Sequence, residues 1–235
     1  MDWTAYILED QERMSKARNY FAWQSRLAQQ HLGQRVIDVG CGIGNFTGLL
    51  LDRELVIAVD IEPRCIERLE QHYPDRDNLV PLVCDAGSRE FRDLAACQPD
   101  SCVCLNVLEH IENDVAALEN IASVLPRGGH VVVLVPAFQA LYGPTDENLG
   151  HYRRYGRSGL CKVVRQAGLR VKNMHYLNLA GFFGWWTNSH VLRRDANSAK
   201  QIEFFDRVVV PLASTLEGFV HPPFGQSLFA VLEKR

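Results

Sequence analysis

Three glycines follow an apolar run near the start of the chain, in a pattern that suits a ligand held close to the backbone. Gly40, Gly42 and Gly44 come directly after residues 36–39, and Asp38 lies within that run. Glycine lets the chain turn tightly and brings backbone N–H groups near a ligand without a clash from Cβ. Free N–H groups at a helix start favour a polar or anionic group. The pattern predicts a binding loop between a first strand and a first helix, which is expected over 44–51.

A second acidic residue ends the next apolar run. Asp60 closes residues 55–60, about twenty positions after the glycines, where a carboxylate can accept hydrogen bonds from both hydroxyls of a ribose. Ile61, which follows it, is assigned to the same ligand. The alternative for Asp60 is a cap on the helix that begins near Pro63. A dinucleotide fingerprint, G-x-G-x-x-G, would need glycine where the chain has Asn45, so an adenosine ligand is expected and a nicotinamide is disfavoured.

Polar residues also follow the third and fourth apolar runs. Asp85 and Ala86 directly follow the run over 79–84. Asn106 follows the run over 101–105 and comes shortly before the Leu-Glu-His sequence at 108–110. With the D-x-G-x-G-x-G loop before them, these motifs resemble class I S-adenosylmethionine-dependent methyltransferases of the bacterial small-molecule type. The resemblance is firm over residues 36–136 and looser to the end of the chain.

The resemblance implies S-adenosylmethionine as cofactor and S-adenosylhomocysteine as product. It implies that an acid at position 85 binds the adenine, that residue 106 lies near the methionine end, and that a helix over 13–24 closes over the cofactor. Tyr20 would then lie near the methionine carboxylate, and a core position for its ring is the alternative. Asn106 is not part of an N-P-P-Y sequence, which argues against an adenine of DNA or RNA as acceptor. The expected cofactor-binding residues are Asp38, Gly40, Gly42, Gly44, Asp60, Ile61, Asp85, Ala86, Asn106 and Tyr20.

Two later segments are candidates for the acceptor side. Residues 141–155 combine aromatic, acidic and basic groups around Gly143-Pro144, which predicts a loop. Their D-x-x-x-G-H-x-R-R-Y pattern resembles a subset of the same family. A surface loop held by Asp–Arg pairs is the alternative. Residues 178–186 form an apolar cluster that could line a pocket, touch a membrane, form a dimer face or pack under the last helix. The expected acceptor-side residues are Tyr142, Asp146, His151, Arg154, Tyr155 and Trp185.

The chemistry that the resemblance implies is an in-line displacement at the methyl carbon, driven by holding the two reactants together. A hydroxyl acceptor would need a base, for which His110 and His151 are the candidates, whereas a carboxylate or thiolate would need none. The apolar cluster and the basic residues Arg153, Arg154 and Arg157 favour an amphipathic small-molecule acceptor, such as a quinone precursor, a polyketide-like acid or a lipid-linked sugar. The Cys/His spacing does not suit zinc, and no metal is expected.

The elements that must position these residues alternate in type. Apolar runs over 35–39, 55–60, 79–84, 101–105 and 130–135 predict buried parallel strands, with helices between them. A strand over 169–177, an irregular insertion over 178–200, a helix over 203–216 and a last strand over 227–233 follow. The expected fold is α/β: a Rossmann-like, seven-stranded, mostly parallel sheet with helices on both faces and an antiparallel last strand. One domain is expected, with cofactor-covering helices over 1–33, a cofactor-binding half over 34–136 and an acceptor-side half over 137–235.

Composition narrows the class of partner. The 235 residues carry a net charge of −3, so no nucleic-acid partner is expected. No apolar run reaches the about 20 residues of a membrane span, which leaves peripheral membrane contact open. Seven scattered cysteines and the absence of a signal-peptide pattern favour a cytoplasmic protein with reduced thiols. The sequence does not indicate an oligomeric state. Two other functions remain: an NAD-dependent oxidoreductase, and a non-catalytic partner subunit that binds S-adenosylmethionine.

Overall fold

The computed structural model of the chain describes residues 3–188 and 198–235. Seven strands form one sheet in the order β3-β2-β1-β4-β5-β7-β6. Strands β1 to β5 run parallel, and β7 is antiparallel to both of its neighbours. This confirms the predicted Rossmann-like sheet. The strands are β1 Arg35–Val39, β2 Leu55–Asp60, β3 Leu79–Val83, β4 Ser101–Leu105, β5 His130–Pro136, β6 Leu169–Leu177 and β7 Ser227–Lys234.

Helices cover both faces of the sheet. Successive residues of a strand point to opposite faces, so each strand contributes side chains to two cores. Ile37 belongs to the core on one face with Ala117, and Val36 belongs to the core on the other face with Leu69. Strands buried on both faces explain the nearly continuous apolar runs in the sequence. The helices are α1 Trp3–Met14, α2 Arg18–Gln29, α3 Pro63–His72, α4 Asp114–Val124, α5 Pro144–Asn148, α6 Arg157–Gln166, α7 Leu179–Trp186, α8 Ala199–Phe204 and α9 Val210–Phe219.

The predicted helix over 44–51 is wrong, since only a 3₁₀ turn over Thr47–Leu49 forms there. Gly44 has a φ of +89°, which is outside the helical region. Gly48 lies against the ring of Tyr73, so close that an added Cβ would be 2.2 Å from the phenol oxygen. The loop after β1 is therefore a series of glycine turns held against α3.

The single helix that the resemblance implied over 13–24 is not observed. Helix α1 ends at Met14 and α2 begins at Arg18. A residue distant in sequence stabilises the start of α2. The buried carboxylate of Asp206 accepts hydrogen bonds from the backbone N–H groups of Asn19 and Tyr20. These bonds satisfy unpaired donors of the first turn of α2.

The predicted irregular insertion over 178–200 contains helix α7 over its first part, and residues 189–197 lie outside the described residues. Asn178 begins α7, with its side chain accepting a hydrogen bond from the N–H of Gly181 at 2.8 Å. The helix predicted over 203–216 is present as α8, a π-helical turn over Phe205–Val209, and α9. The predicted loop at Gly143-Pro144 is instead the start of α5, where proline occupies the first turn.

Candidate functional site

The glycine loop after β1 has the backbone conformation that its sequence requires. Gly40, Gly42 and Gly44 have φ values of +68°, +53° and +89°. Asp60, at the end of the adjacent β2, accepts hydrogen bonds from the N–H of Gly42 at 2.8 Å and from the N–H of Glu62 at 2.9 Å. The Asp60 carboxylate is thus fixed directly beside the loop. The capping role that was the alternative for Asp60 belongs to Glu62, whose side chain accepts from the N–H of Arg64.

Asp38 braces the loop from within β1. Its side chain is buried and accepts a hydrogen bond of 2.7 Å from the hydroxyl of Thr47, beyond the glycines. Burial raises the pKa of Asp38 to about 7. The described contacts of Asp38 are therefore with the loop that would hold the ligand.

Two exposed apolar side chains lie at the ends of β2 and β3. Ile61 is 63% exposed and Val83 is 55% exposed, which is unusual for large apolar residues next to a buried sheet. Asp85 is exposed and accepts a hydrogen bond from the N–H of Gly87 at 2.7 Å. Ala86 is buried, and its carbonyl accepts from Asn120. Apolar surface beside a carboxylate suits a planar ring with an exocyclic amino group.

Asn106 begins the turn after β4 in the left-handed conformation, with a φ of +56°. Its N–H donates to the carbonyl of Leu134 at 2.7 Å, and its side chain is exposed. The next residue, Val107, packs so closely on the glycine loop that a Cβ added to Gly40 would lie 2.3 Å from Cγ2 of Val107. The β4 turn and the glycine loop are therefore adjacent at the carboxyl end of the sheet.

Gln11 of α1 contacts the glycine loop. Asn45 donates from Nδ2 to the backbone carbonyl of Gln11 at 3.0 Å, and a Cβ added to Gly42 would lie 2.8 Å from Oε1 of Gln11. Tyr20 is instead packed against Trp23, with the ring centroids 6.3 Å apart. Burial raises the pKa of the Tyr20 hydroxyl. Gln11 was not predicted from the sequence, because a polar residue on an amphipathic helix carries no motif.

A buried ionic network organises the candidate acceptor loop. Asp146 has no exposed surface, and its Oδ1 accepts hydrogen bonds of 2.8 Å from both Nδ1 of His151 and Nε of Arg154. Its Oδ2 accepts from the N–H of Gly143 at 3.0 Å. Burial alone would raise the pKa of Asp146, but the His151 hydrogen bond and the Arg154 charge hold it below its usual range. Of the alternatives for Arg154, the Asp–Arg pair is the one observed.

His110 and His151 face each other beside this network. Their rings are T-shaped, with centroids 4.5 Å apart. Glu109, which precedes His110, is completely buried, and neither of its carboxylate oxygens has a hydrogen-bond partner. Burial raises the pKa of Glu109 to about 8 and lowers the pKa of His110 to about 3. Both histidines were predicted from the sequence, whereas Glu109, the central residue of the Leu-Glu-His sequence, was not.

The aromatic residues predicted for the acceptor side divide into two kinds. Tyr142 donates its hydroxyl to the carbonyl of His151 at 2.7 Å, and buried Tyr155 donates to Oδ2 of Asp114 at 2.7 Å, so both stabilise the loop. Trp185 of α7 lies against Arg154, whose guanidinium carbon is 4.6 Å from the ring centroid. The indole N–H of Trp185 is buried without a hydrogen-bond partner. The aromatic helix α7 therefore contacts the acceptor loop directly.

The other two arginines of the predicted basic group are also engaged. Arg153 pairs with Asp114 at 2.8 Å, and Arg157 lies over the ring of Tyr176 at 4.9 Å. Exposed apolar surface extends further along the C-terminal helices. Its most exposed side chains are those of Phe183, Phe204, Leu212, Leu216, Phe219 and Val220. Within the described residues, no helix is both long enough and apolar enough to cross a membrane.

The sheet order, the glycine loop and the acidic strand ends define a class I methyltransferase fold. A family model described as "Methyltransferase domain" matches residues 6–173. The chain belongs to this family, whose class I members depend on S-adenosylmethionine.

Known proteins resemble this chain at two levels. "Ubiquinone biosynthesis O-methyltransferase" of Xanthomonas euvesicatoria is 33% identical over 164 residues, or 60% of this chain and 65% of that protein. "tRNA N(3)-methylcytidine methyltransferase trm141" of Schizosaccharomyces pombe is 28% identical over 144 residues, or 55% of this chain and 56% of that protein. The matched regions thus span less than two thirds of either relative's length. In fold, the methyltransferase solved with the Haloferax volcanii Trm112 activator has a TM-score of 0.68 and 20% identity, covering 99% of this chain and 97% of that one.

Proposed function

We propose that this protein transfers the methyl group of S-adenosylmethionine to a hydroxyl group of a small aromatic acceptor with an apolar body, of the quinone-precursor type. One observation carries the acceptor side of the proposal: the Asp146–His151 loop contacts the aromatic helix α7 through Arg154 and Trp185. Polar groups suited to a reacting hydroxyl and apolar surface suited to a ring thereby lie side by side. The match to an O-methyltransferase of ubiquinone biosynthesis favours the same acceptor class.

The cofactor would occupy the carboxyl ends of β1 to β4. Asp60 is oriented by Gly42 and Glu62 for a ribose diol, and Ile61 and Val83 offer apolar surface for an adenine. Asp85 would accept from the adenine amino group. Gln11 of α1 would cover the glycine loop. The ligand-binding end of the sheet is the one that doubly wound folds use.

The reaction needs the acceptor oxygen and the methyl carbon held about 3 Å apart and in line with the departing sulfur. The oxygen would pass its proton to a base, for which Nε2 of His151 is the candidate, and would bond to the methyl carbon as the carbon–sulfur bond breaks with its electron pair passing to sulfur. His151 is held by Asp146 through Nδ1, which leaves Nε2 to face a reacting group. The buried indole N–H of Trp185 is a further donor available to an acceptor oxygen.

The sequence favoured an anionic end on the acceptor because of its arginines. In the structure Arg153 and Arg154 are paired with Asp114 and Asp146, so they do not support that part of the expectation. An apolar end remains part of the proposal. If the acceptor has a lipid-like tail, the exposed apolar side chains on α9, such as Phe219 and Leu216, would bring the protein to a membrane surface. Sedimentation with phospholipid vesicles tests this contact. The free cysteines suit the cytoplasm expected from the sequence.

The experiment has two parts, cofactor binding and transfer. Calorimetry should detect one equivalent of S-adenosylhomocysteine and no binding of NADH, and the reverse result would favour the oxidoreductase. Transfer from methyl-labelled S-adenosylmethionine should then be measured against ortho-dihydroxybenzoates with and without a prenyl chain. Bulk tRNA should be a parallel acceptor, because one relative is a tRNA methyltransferase. Label in tRNA alone would overturn the small-molecule acceptor, and cofactor binding without transfer to any acceptor would favour a partner subunit.

A further inference from the structure

Three side chains with metal-binding atoms meet at the carboxyl end of β4. Glu109 and His110 belong to the 3₁₀ turn Leu108–His110, and His151 comes from the loop after α5. One potential ligand atom from each lies within 4.8 Å of those from the other two. Donors bound to a single zinc-sized ion at about 2.0–2.2 Å sit roughly 3–3.5 Å apart, so a small inward movement of these side chains would complete a site.

The Glu109 carboxylate is the unusual member of this cluster. It is fully buried, and both of its oxygens lack a hydrogen-bond partner. Buried carboxylates in proteins are normally paired, hydrogen bonded or bound to a metal, because an isolated buried charge is strongly disfavoured. A cation between Glu109 and the two histidines would supply the missing partner.

The hydrogen bonds around His151 prepare it as a ligand. Nδ1 of His151 is bonded to Oδ1 of Asp146 at 2.8 Å, so the free lone pair of that ring is on Nε2. Asp146 is held in turn by Arg154. The ring of His110 lies beside that of His151, with the centroids 4.5 Å apart. Carboxylate or carbonyl groups that hold the second nitrogen of a histidine are the usual support of metal-binding imidazoles.

We propose that Glu109, His110 and His151 bind one divalent transition-metal ion, with Asp146 as a positioning residue for His151. Two imidazoles and one carboxylate suit Zn²⁺, Co²⁺, Mn²⁺ or Fe²⁺ better than Mg²⁺, which favours oxygen ligands. The proposal replaces the expectation of a metal-free site that the sequence had given. That expectation considered ligand spacing along the chain, whereas His151 joins the cluster from a distant loop.

Three protein ligands leave coordination positions open for other molecules. This second step rests on the proposed function: an ortho-dihydroxy acceptor would bind through its two oxygens, beside Trp185 and Arg154. A bound cation lowers the pKa of a coordinated hydroxyl, so its proton would pass to water and its oxygen would attack the methyl carbon. The carbon–sulfur bond breaks and S-adenosylhomocysteine leaves. In this scheme the two histidines are ligands rather than bases.

The test uses the untagged full chain after treatment with a chelator. Co²⁺ titration followed by visible absorption, and Zn²⁺ uptake by equilibrium dialysis with elemental analysis, should each give one equivalent per chain. Glu109→Gln and His151→Ala should weaken Co²⁺ binding by at least about 100-fold, and Asp146→Asn by about 10–100-fold. His221→Ala is the matched control, because His221 stacks on His175 at 4.0 Å outside the cluster, and it should bind Co²⁺ like the wild type.

Thermal unfolding keeps the result interpretable if a variant is unstable. Zn²⁺ should raise the Tm of the wild type and of His221→Ala, and it should not raise the Tm of Glu109→Gln. A folded wild type that takes up no Co²⁺ or Zn²⁺ at millimolar concentration would overturn the proposal, as would undiminished binding by Glu109→Gln. S-adenosylhomocysteine calorimetry on the metal-free protein separates the two ideas. If the protein binds the cofactor but no metal, only the proposed metal site is contradicted. If it binds the metal but no cofactor, only the proposed function is contradicted.

Discussion

The guanidinium of Arg154 lies over the indole of Trp185, with its carbon 4.6 Å from the ring centroid. The same side chain donates from Nε to Oδ1 of Asp146 at 2.8 Å. Asp146 also accepts the Nδ1 hydrogen bond of His151. A continuous set of contacts therefore joins the aromatic helix α7 to a histidine of the candidate site, and changes in α7 should affect acceptor binding.

Trp185→Ala should weaken binding of the acceptor without changing binding of the cofactor. Loss of the ring removes apolar contact and a buried N–H donor, and we expect KM for the acceptor to rise by about tenfold, or about 1.4 kcal/mol. The Kd for S-adenosylhomocysteine should stay within about twofold, because the cofactor loops are on other elements. Phe219→Ala, on the 85% exposed side chain of α9, is the control for loss of an aromatic residue. Equal KM values for Trp185→Ala and the wild type would show that α7 does not line the acceptor site.

Arg154→Ala should destabilise the fold. Arg154 is 5% exposed and pairs with the fully buried Asp146, so its removal leaves a buried carboxylate with one partner fewer. Breaking such a pair costs about 3–5 kcal/mol. Arg153→Ala removes a more exposed partner of Asp114, and it should cost about 1 kcal/mol or less.

Chemical denaturation of both variants measures the difference. A double variant, Asp146→Asn with Arg154→Met, removes both charges and should recover part of the stability lost in Arg154→Ala. An Arg154→Ala protein as stable as Arg153→Ala would mean that the Asp146 network contributes little to the fold.

Asp60→Asn should reduce cofactor affinity while leaving the fold intact. The amide has one acceptor oxygen in place of two, so it can accept from the N–H of Gly42 or from that of Glu62, which donate to different carboxylate oxygens, but not from both. It cannot offer a charged acceptor to both ribose hydroxyls, so we expect a loss of about 2–3 kcal/mol in the binding of S-adenosylhomocysteine. Calorimetry measures this loss, with Asp52→Asn as a control on an exposed turn. Unchanged affinity in Asp60→Asn would place the ribose elsewhere.

Local pattern was sufficient to predict the strands. The observed bounds of β1, β2, β4 and β6 are the predicted ones, because strands buried on both faces form apolar runs that end where polar loops begin. The helix expected after β1 failed for a tertiary reason. The packing of Gly48 against Tyr73 depends on the position of α3, so it cannot be predicted from residues 44–51 alone.

The candidate site could be predicted only in part, for the same reason. Asp60 and the glycines form a recognisable motif. Their spacing along the chain is fixed, because they follow two adjacent parallel strands, β1 and β2, and the connection between those strands has a limited length. Glu109 meets His151 only through folding, and Gln11 reaches Asn45 from a separate helix. Contacts of this kind depend on how distant elements pack, and periodicity along the chain does not encode them.

Asp38→Asn should change how stability depends on pH. Burial raises the pKa of Asp38 in the folded protein to about 7, well above the value of about 3.9 for an unfolded chain. The folded state therefore binds the proton more tightly, so this stabilisation is present at low pH and is lost as the pH rises through 7. Between about pH 8 and about pH 5 the wild type should gain about 2–3 kcal/mol from this group. The amide of the variant does not titrate in this range, so the difference in free energy of unfolding between wild type and variant should itself change by that amount. Urea denaturation of the cofactor-free protein at both pH values measures it, with Asp52→Asn retaining the wild-type dependence, and a constant difference between wild type and Asp38→Asn would contradict the prediction.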